Sequence, residues 1–500
     1  MSLETELKLS LSEPAAAMLT RHRLLAGADA TMCRLVNVYY DTPDLDLWHA
    51  RLAVRHRRAG DRWLLTVKGG NPAAAGLAQR AEWEADSRPG VFDFSHVDAA
   101  DTRRTLERLS PRLQPLFVTD FRRRCWVVSP SSGVRIEVAL DRGKVSAGGR
   151  SEKIRELELE LLEGPASALF DLARALSVDL PLLASGESKA ELGFRLYKGE
   201  PRVAVRAGVS PLAEHQTPRA AFRAVALDCL DQLQRNLIGL READDPEFVH
   251  QARVAIRRLR AALTLWAPVL PEAFAAEFRL QWRMAARSFD ALRNLDVVRG
   301  EVLPEMPATQ PGEGRHATLA AIMDAECVRQ RARTRRSVER REFLARILAF
   351  AAAVHALDGG ASGKSLRKFA AARLARLARK VAARAERVDE VSQFPANAEK
   401  IAACHALRIA CKRLRYAGEF LSPLYPRKHF AKPLALLAGV QSELGHINDL
   451  AVARQILSRL APDPQAAEWL ASRSQQALDA LPDRLGDLHT ALASFGTDRK

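Results

Sequence analysis

Hydrophobic and polar positions alternate from the start of the chain. Leu3, Leu7 and Leu9 fall on one side of an extended segment, and Glu4, Glu6 and Lys8 fall on the other. The same period-two pattern returns over 51–57, 62–68, 80–84, 134–140 and 155–161. In the fourth run Val134, Ile136, Val138 and Leu140 share a face, with Arg135, Glu137 and then Asp141 opposite. In the last, Leu157, Leu159 and Leu161 oppose Glu156, Glu158 and Glu160. Turn signals separate the runs: Ala59-Gly60-Asp61, the segment Lys68 to Pro72, and Ser131-Ser132-Gly133. The pattern predicts an α+β domain over 1–200, a mostly antiparallel sheet or barrel with short helices at 13–26 and 165–177 against it.

A Pro-bearing stretch at 201–218 reads as a linker, and beyond it the period changes. Residues rich in Ala, Leu and Arg show helical periodicity over 219–243, 246–267, 271–299, 315–357, 364–390, 397–421, 429–460 and 465–494. This predicts an all-α domain over 219–494. It also contains a repeat. His250, Arg253, Arg257, Arg258 and Arg260 match His405, Arg408, Lys412, Arg413 and Arg415 at one constant offset, and Arg293-Asn294-Leu295-Asp296-Val297 matches Asn448-Asp449-Leu450-Ala451-Val452 at the same offset. Two motifs at one offset predict a duplicated helical bundle with pseudo-two-fold symmetry, its halves at about 219–357 and 364–494.

Charge sharpens the division. Residues 1–200 hold 29 Lys and Arg against 28 Asp and Glu, and residues 201–500 hold the remaining 47 against 32. The excess of positive charge in the helical part predicts a polyanionic partner there. On a helical wheel His250, Arg253, Arg257 and Arg260 form one narrow stripe, and His405, Arg408, Lys412 and Arg415 repeat it. The stripes carry little aromatic surface beyond Tyr416 and the flanking Trp266, whereas binders of single-stranded nucleic acid combine charge with stacking rings. That favours long-chain polyphosphate over RNA, with RNA kept as a rival. The two histidines add an expected pH dependence, since protonation strengthens anion binding.

The six cysteines form neither a disulfide framework nor a zinc motif. No apolar run is long enough for a membrane span, and the acidic start resembles no signal peptide. The expectation is a soluble, reducing, cytoplasmic protein with no membrane partner, and polyphosphate granules as a further expected location.

The strand faces of the first domain mix both signs: Glu4, Glu6, Glu82, Glu137, Asp141, Glu156 and Glu158 beside Lys8, Arg55, Arg57, Lys68, Arg80 and Arg123. Turned inward, such a mixture is costly unless the charges pair or bind ions. A metal–triphosphate complex supplies both kinds of partner: carboxylates take a divalent cation, and Arg and Lys take phosphate oxygens.

The segments ETELKL (4–9), NVYYDTPDLDLW (37–48), RLAVRHR (51–57), TVKGG (66–70), QRAEWE (79–84), LFVTDFRR (116–123), IEVALDRG (136–143), ELELEL (156–161) and ESKAELGF (187–194), in this order, resemble the CYTH domain of the triphosphate tunnel metalloenzymes. The duplicated motif and LGHINDLAVA (444–453) resemble the CHAD domain. The resemblance, to bacterial CYTH–CHAD proteins of the inorganic triphosphatase type, implies an eight-stranded antiparallel tunnel open at both ends. It implies Glu4, Glu6, Glu82, Asp141, Glu156 and Glu158 as ligands of Mg²⁺ or Mn²⁺. Lys8, Arg55, Arg57, Lys68, Arg80, Arg123 and Lys189 become triphosphate-binding residues, with Glu4, Glu6 and Lys8 central to catalysis. Which of Glu156, Glu158 and Glu160 reach the metal stays open, and Arg123 is chosen over its neighbours by the family pattern. Where the family pattern leads one to expect Asp, this chain has Asn294.

The implied reaction is hydrolysis of inorganic triphosphate to pyrophosphate and phosphate, without a covalent intermediate; His49, His56 and His96 read as surface or packing residues. The rivals are nucleoside or thiamine triphosphates as substrates, cyclisation of ATP, and a non-catalytic polyphosphate adaptor.

Overall fold

The structure is a computed structural model and describes residues 2–69, 77–307, 315–359, 365–392 and 398–481, with residues 485, 486, 488, 491, 492 and 495. Backbone contacts divide it into two compact units. One comprises residues up to Val205 together with Gln234–Gly239 and Glu339–Ala356, and the other holds the remainder.

The first unit is built on nine antiparallel strands: β1 (Ser2–Leu11), β2 (Thr31–Asp41), β3 (Leu52–Ala59), β4 (Arg62–Gly69), β5 (Leu77–Asp86), β6 (Gln114–Val128), β7 (Arg135–Ala147), β8 (Arg150–Glu163) and β9 (Leu182–Ala184). Their order is β5-β4-β3-β2-β6-β7-β8-β1-β9, and β1 also pairs with β5, from Ser2 opposite Glu82 to Leu7 opposite Leu77. The ladders thus run through eight strands and return to β1. The ninth, β9, is an addition to the eight expected: three residues paired to the end of β1, Leu9 opposite Ala184. The remaining elements of this region are α1 (Glu13–Leu19), α2 (Asp46–His49), α3 (Ala100–Leu109), α4 (Ser167–Asp179) and α5 (Lys189–Lys198).

Alternation decides which side chains go where. Leu7, Leu9 and Leu11 are buried on one face of β1, and α4 packs against β1 and β8. The other face carries Glu6 and Lys8. Positions of the same parity as Arg123 on β6 and Asp141 on β7 then become apolar, and with β2 they supply Leu35, Tyr39, Phe117, Phe121 and Val145, which join Ile154 and pack with Leu192, Phe194 and Leu196 of α5. These apolar residues and α5 form one packed cluster beside the charged positions. Gly193 makes the contact possible, since a Cβ there would stand 2.1 Å from the Phe117 ring.

The second unit is helical. The helices of the C-terminal region are α6 (Pro218–Glu242), α7 (Pro246–Leu265), α8 (Glu272–Val297), α9 (Arg315–Val338), α10 (Arg341–Ala356), α11 (Leu366–Ser392), α12 (Ala398–Leu421), α13 (Arg427–Leu460) and α14 (Pro464–Asp479). Corresponding helices make corresponding contacts: α7 with α8 and α12 with α13, then α8 with α9 and α13 with α14. The single helix expected over 315–357 is two. The polar run 333–342 contains one apolar residue, Val338, so periodicity does not register the break at 339–340. Helix α10 belongs to the first unit, where it packs on α4 and sets His355 5.6 Å from Phe170. No described helix is long and apolar enough to cross a membrane.

Candidate functional site

A cavity of about 590 Å³ lies within the first unit. Lys8, Arg55, Arg57, Lys68, Arg123 and Lys189 line it, with Glu4, Glu6, Glu82 and Glu158. The side chain of Arg80 lies outside the described residues; its backbone pairs with Glu4. Two further acids, Asp141 and Glu156, stand behind the lining, on Lys189.

The charges form two connected groups. In one, Lys68 bridges Glu4 (2.6 Å) and Glu82 (3.2 Å), and Arg55 reaches Glu82 at 3.4 Å and the Tyr39 hydroxyl at 3.2 Å. In the other, Lys8 lies 2.9 Å from Glu158 and 3.2 Å from Glu6, while Lys189 contacts Asp141 (2.8 Å), Glu158 (2.9 Å) and Glu156. Arg123 grips Asp141 with two parallel bonds, Nε–Oδ1 at 2.7 Å and Nη2–Oδ2 at 2.6 Å, and also contacts Glu158. Asp141 is fully buried, and Glu6, Glu158, Arg55 and Lys189 nearly so.

Burial opposes each of these charges, and the neighbours decide the outcome. Burial is the largest influence on Lys189 and lowers its pKa, yet Asp141, Glu156 and Glu158 raise it well above the ordinary lysine range. Glu158 is held well below the usual carboxylate range by Lys189, Lys8 and Arg123, against burial. Glu156 goes the other way, pushed up chiefly by burial.

Local sequence fixes the geometry. Lys189 opens α5 behind a capping box: Ser188 Oγ accepts from the Glu191 amide at 3.2 Å, and Glu191 accepts from the Ser188 amide at 2.8 Å. On β3, Arg57 donates to Asn37 at 3.1 Å, and Asn37 donates to Thr119 at 2.8 Å.

The lining also includes Glu137, Glu84 and His96, which were not among the expected site residues, and Glu160, whose reach to the metal was left open. Alternation already put Glu137 beside Asp141 and Glu160 beside Glu158. Glu160 is the informative one. No basic side chain among the described residues pairs with it, and its pKa is pushed up to about 7, first by burial and then by Glu4, Glu137 and Glu6. A carboxylate facing three others, with Lys68 only a weaker opposing influence, is an environment a divalent metal ion satisfies. Asp141, Glu156 and Glu158 also converge, with ligand oxygens within 4.8 Å of one another, but Lys189 and Arg123 already neutralise them.

The second unit holds a larger cavity of about 1080 Å³. All eight residues of the two basic stripes line it: His250, Arg253, Arg257 and Arg260 from α7, and His405, Arg408, Lys412 and Arg415 from α12. Asn294 and Asp449 line it as well. Few carboxylates offset this charge; Asp290 takes Arg253 at 2.9 Å and Glu419 takes Arg415 at 3.3 Å. Burial and then Arg257, Arg408 and Arg253 push the Lys412 ammonium down to about 7. His250 is pushed down to about 4 by burial and then Arg293. Asp296 pairs with Arg331 at 3.4 Å, and Arg258, the stripe's inward neighbour, is buried over the Phe420 ring. Trp266 lies in the core among Phe222, Phe369 and Phe420.

Residues 2–194 match the CYTH domain family and residues 224–458 match the CHAD domain family. The chain carries a CYTH domain followed by a CHAD domain. Its CYTH part is similar to an inorganic triphosphatase from Haemophilus influenzae, 33% identical over 173 residues, or 32% of this chain and 46% of the relative. The chain thus spans less than half the length of that relative. Among solved structures, the CHAD domain from the plant Ricinus communis is 29% identical, with a TM-score of 0.47 over 60% of this chain and 98% of its own. A Hippeastrum adenylyl cyclase candidate with a dominant triphosphatase activity is 20% identical, with a TM-score of 0.30 over 40% of this chain and 97% of its own.

Proposed function

We propose that the CYTH domain hydrolyses inorganic triphosphate with Mg²⁺ or Mn²⁺, and that the CHAD domain binds long-chain polyphosphate. The observation that carries the first part is the arrangement of the inner strand faces: six Lys and Arg side chains line one cavity with at least as many carboxylates. Lys8, Arg55, Arg57, Lys68, Arg123 and Lys189 would clamp the phosphate oxygens and neutralise charge that shifts in the transition state. Of the family's metal ligands, Glu4 and Glu6 face Glu160, which fits a cation there. Each of these carboxylates is held by a basic side chain, Glu4 and Glu82 by Lys68, Glu6 by Lys8, and Asp141, Glu156 and Glu158 by Lys189, so a cation would bind as those contacts are released to phosphate. A bound divalent cation would supply charge neutralisation and a polarised water. In this reading the eight joined strands are the wall of the triphosphate tunnel, with α5 packed against it. The similarity to the Haemophilus influenzae inorganic triphosphatase supports the same substrate.

The second part rests on the convergence of both basic stripes on one cavity. Its aromatic neighbours favour a bare phosphate polymer over RNA: Trp266 is in the core, and Tyr416, though it lines the cavity, is buried with Arg415 over its ring at 5.2 Å. A cytoplasmic location on polyphosphate granules follows from this reading.

Phosphate release from tripolyphosphate and from ATP, each with Mg²⁺ and with Mn²⁺, tests the activity. Turnover of tripolyphosphate with little from ATP is expected. Turnover of ATP alone, or of neither, sinks the proposal. Glu6→Gln is expected to abolish hydrolysis while long-chain polyphosphate still binds.

A further inference from the structure

The outer face of the sheet carries a second cationic surface that the proposed reaction does not use. Arg122 on β6 is the register partner of Arg142 on β7, and Arg142 is the partner of Arg155 on β8. Three guanidinium groups therefore stand in a row across neighbouring strands, about 4.8 Å apart. Like charges directly opposite one another destabilise a sheet. The row borders an outward cavity of about 550 Å³, also lined by Arg124, Lys153 and Glu13. Five outward-facing cations thus meet Glu13, which contacts Arg142 and lies 4.0 Å from Arg155, while Asp120, the next outward position on β6, acts on Arg122 but is already gripped by Arg34 at 2.7 Å. Arg122, Arg142 and Lys153 are exposed, and the buried Nε of Arg124 has no hydrogen-bond partner.

We propose that this outer face of β6, β7 and β8 is a separate anion-binding site that takes a segment of a linear phosphate polymer. A polyanion lying along the row would relieve the repulsion that the sheet otherwise bears, and each phosphate would find a guanidinium fork. Bare phosphate suits it better than nucleic acid, because its one aromatic neighbour, Trp126, is buried and already covered by Arg124 at 4.9 Å. Arg123 also borders this cavity, but its guanidinium is turned inward onto Asp141 and Glu158, whereas Arg122 and Arg124 alternate to the outer face. The inference rests on the reading that this protein handles phosphate chains, but it concerns polymers that the enclosed cavity does not hold.

Lysine footprinting of the full chain tests it. An amine-reactive ester is applied at fixed ionic strength, alone and with long-chain polyphosphate, tripolyphosphate or RNA at matched phosphate, and Lys153 is followed by mass spectrometry. Polyphosphate is expected to slow Lys153 acylation about threefold or more. The double variant Arg122→Glu/Arg142→Glu should abolish that protection, and Arg122→Ser should reduce it with little strain on the fold. An unchanged Lys153 in the parent, protection that persists in the double variant, or protection by RNA alone would overturn the inference. Hydrolysis of tripolyphosphate is read separately. An inactive parent with a protected Lys153 refutes only the hydrolase reading, and an active parent with an unprotected Lys153 refutes only this one.

Discussion

The Nζ of Lys68 donates to Oε2 of Glu4 at 2.6 Å, so a proposed phosphate ligand is bonded to a proposed metal ligand. Lys8 stands in the same relation to Glu6 at 3.2 Å. A divalent cation binding alone would take the carboxylates and strand two ammonium groups in a half-buried cavity. A triphosphate alone would strand the carboxylates. Both together give Glu4 and Glu6 a cation and Lys68 and Lys8 an anion. Metal and triphosphate are therefore expected to bind cooperatively, with a coupling of about tenfold or more, or about 1.4 kcal/mol. Titration calorimetry with a non-hydrolysable triphosphate analogue, with and without Mg²⁺, measures this. Equal affinities would contradict it.

Arg123 is expected to be indispensable for a structural reason as well as a chemical one. It supplies both bonds of the bidentate grip on Asp141, whose carboxylate is fully buried. Removing one partner of a buried pair leaves an uncompensated charge and costs about 3–5 kcal/mol, eased here by the remaining Lys189 contact at 2.8 Å. Arg123→Ala should lower the melting temperature markedly. Arg123→Lys should recover only part of it, since one ammonium cannot reproduce two parallel bonds. Thermal melts of the two variants decide between these outcomes.

Much of this site was legible in the sequence because a strand's side-chain period is two. Once Glu6 is inward, so are Glu4 and Lys8; Glu156, Glu158 and Glu160 follow from one another in the same way. The helical stripes were equally legible, because Arg258 falls off the stripe on the wheel and is buried in the structure. What alternation does not carry is the partner of each charge. Glu160 differs from Glu158 only in its neighbours: Glu158 faces Lys8 and Lys189, and Glu160 faces Glu4, Glu137 and Glu6. Nor does pattern reveal α5 against the inner apolar residues, which is tertiary packing, or the arginine row outside the sheet, which depends on the register of β6, β7 and β8.

Gly193 gives a prediction whose sign runs against helix propensity. Glycine inside a helix ordinarily costs about 0.5–1 kcal/mol relative to alanine, so Gly193→Ala should stabilise α5 taken alone. The Phe117 ring stands 2.1 Å from where the new Cβ would be, and it is held by stacking on Tyr39 at 4.6 Å. Overpacking of this kind costs about 1–3 kcal/mol and wins. The variant is expected to melt at a lower temperature. It should also bind tripolyphosphate less tightly, because α5 carries Lys189 at its first position. A higher melting temperature would show that the ring yields.

Lys412 makes polyphosphate binding depend on pH above neutrality. In the free protein its ammonium is pushed down to about 7, first by burial and then by Arg257, Arg408 and Arg253, with Asp449 opposing them. Lys412 is thus charged below that pH and neutral above it. A bound polyanion favours the charged form, so the pKa in the complex is higher than in the free protein. Between the two values binding must take up a proton, and affinity falls as pH rises. Below the free value the amine is already charged and contributes no slope. Dissociation constants for long-chain polyphosphate measured from pH 7 to 9 at constant ionic strength should therefore weaken progressively. Lys412→Met should remove that slope, lower affinity at pH 6 and reduce the dependence on log salt by about one phosphate contact. An unchanged pH profile in the variant would place the titrating group elsewhere in the cavity.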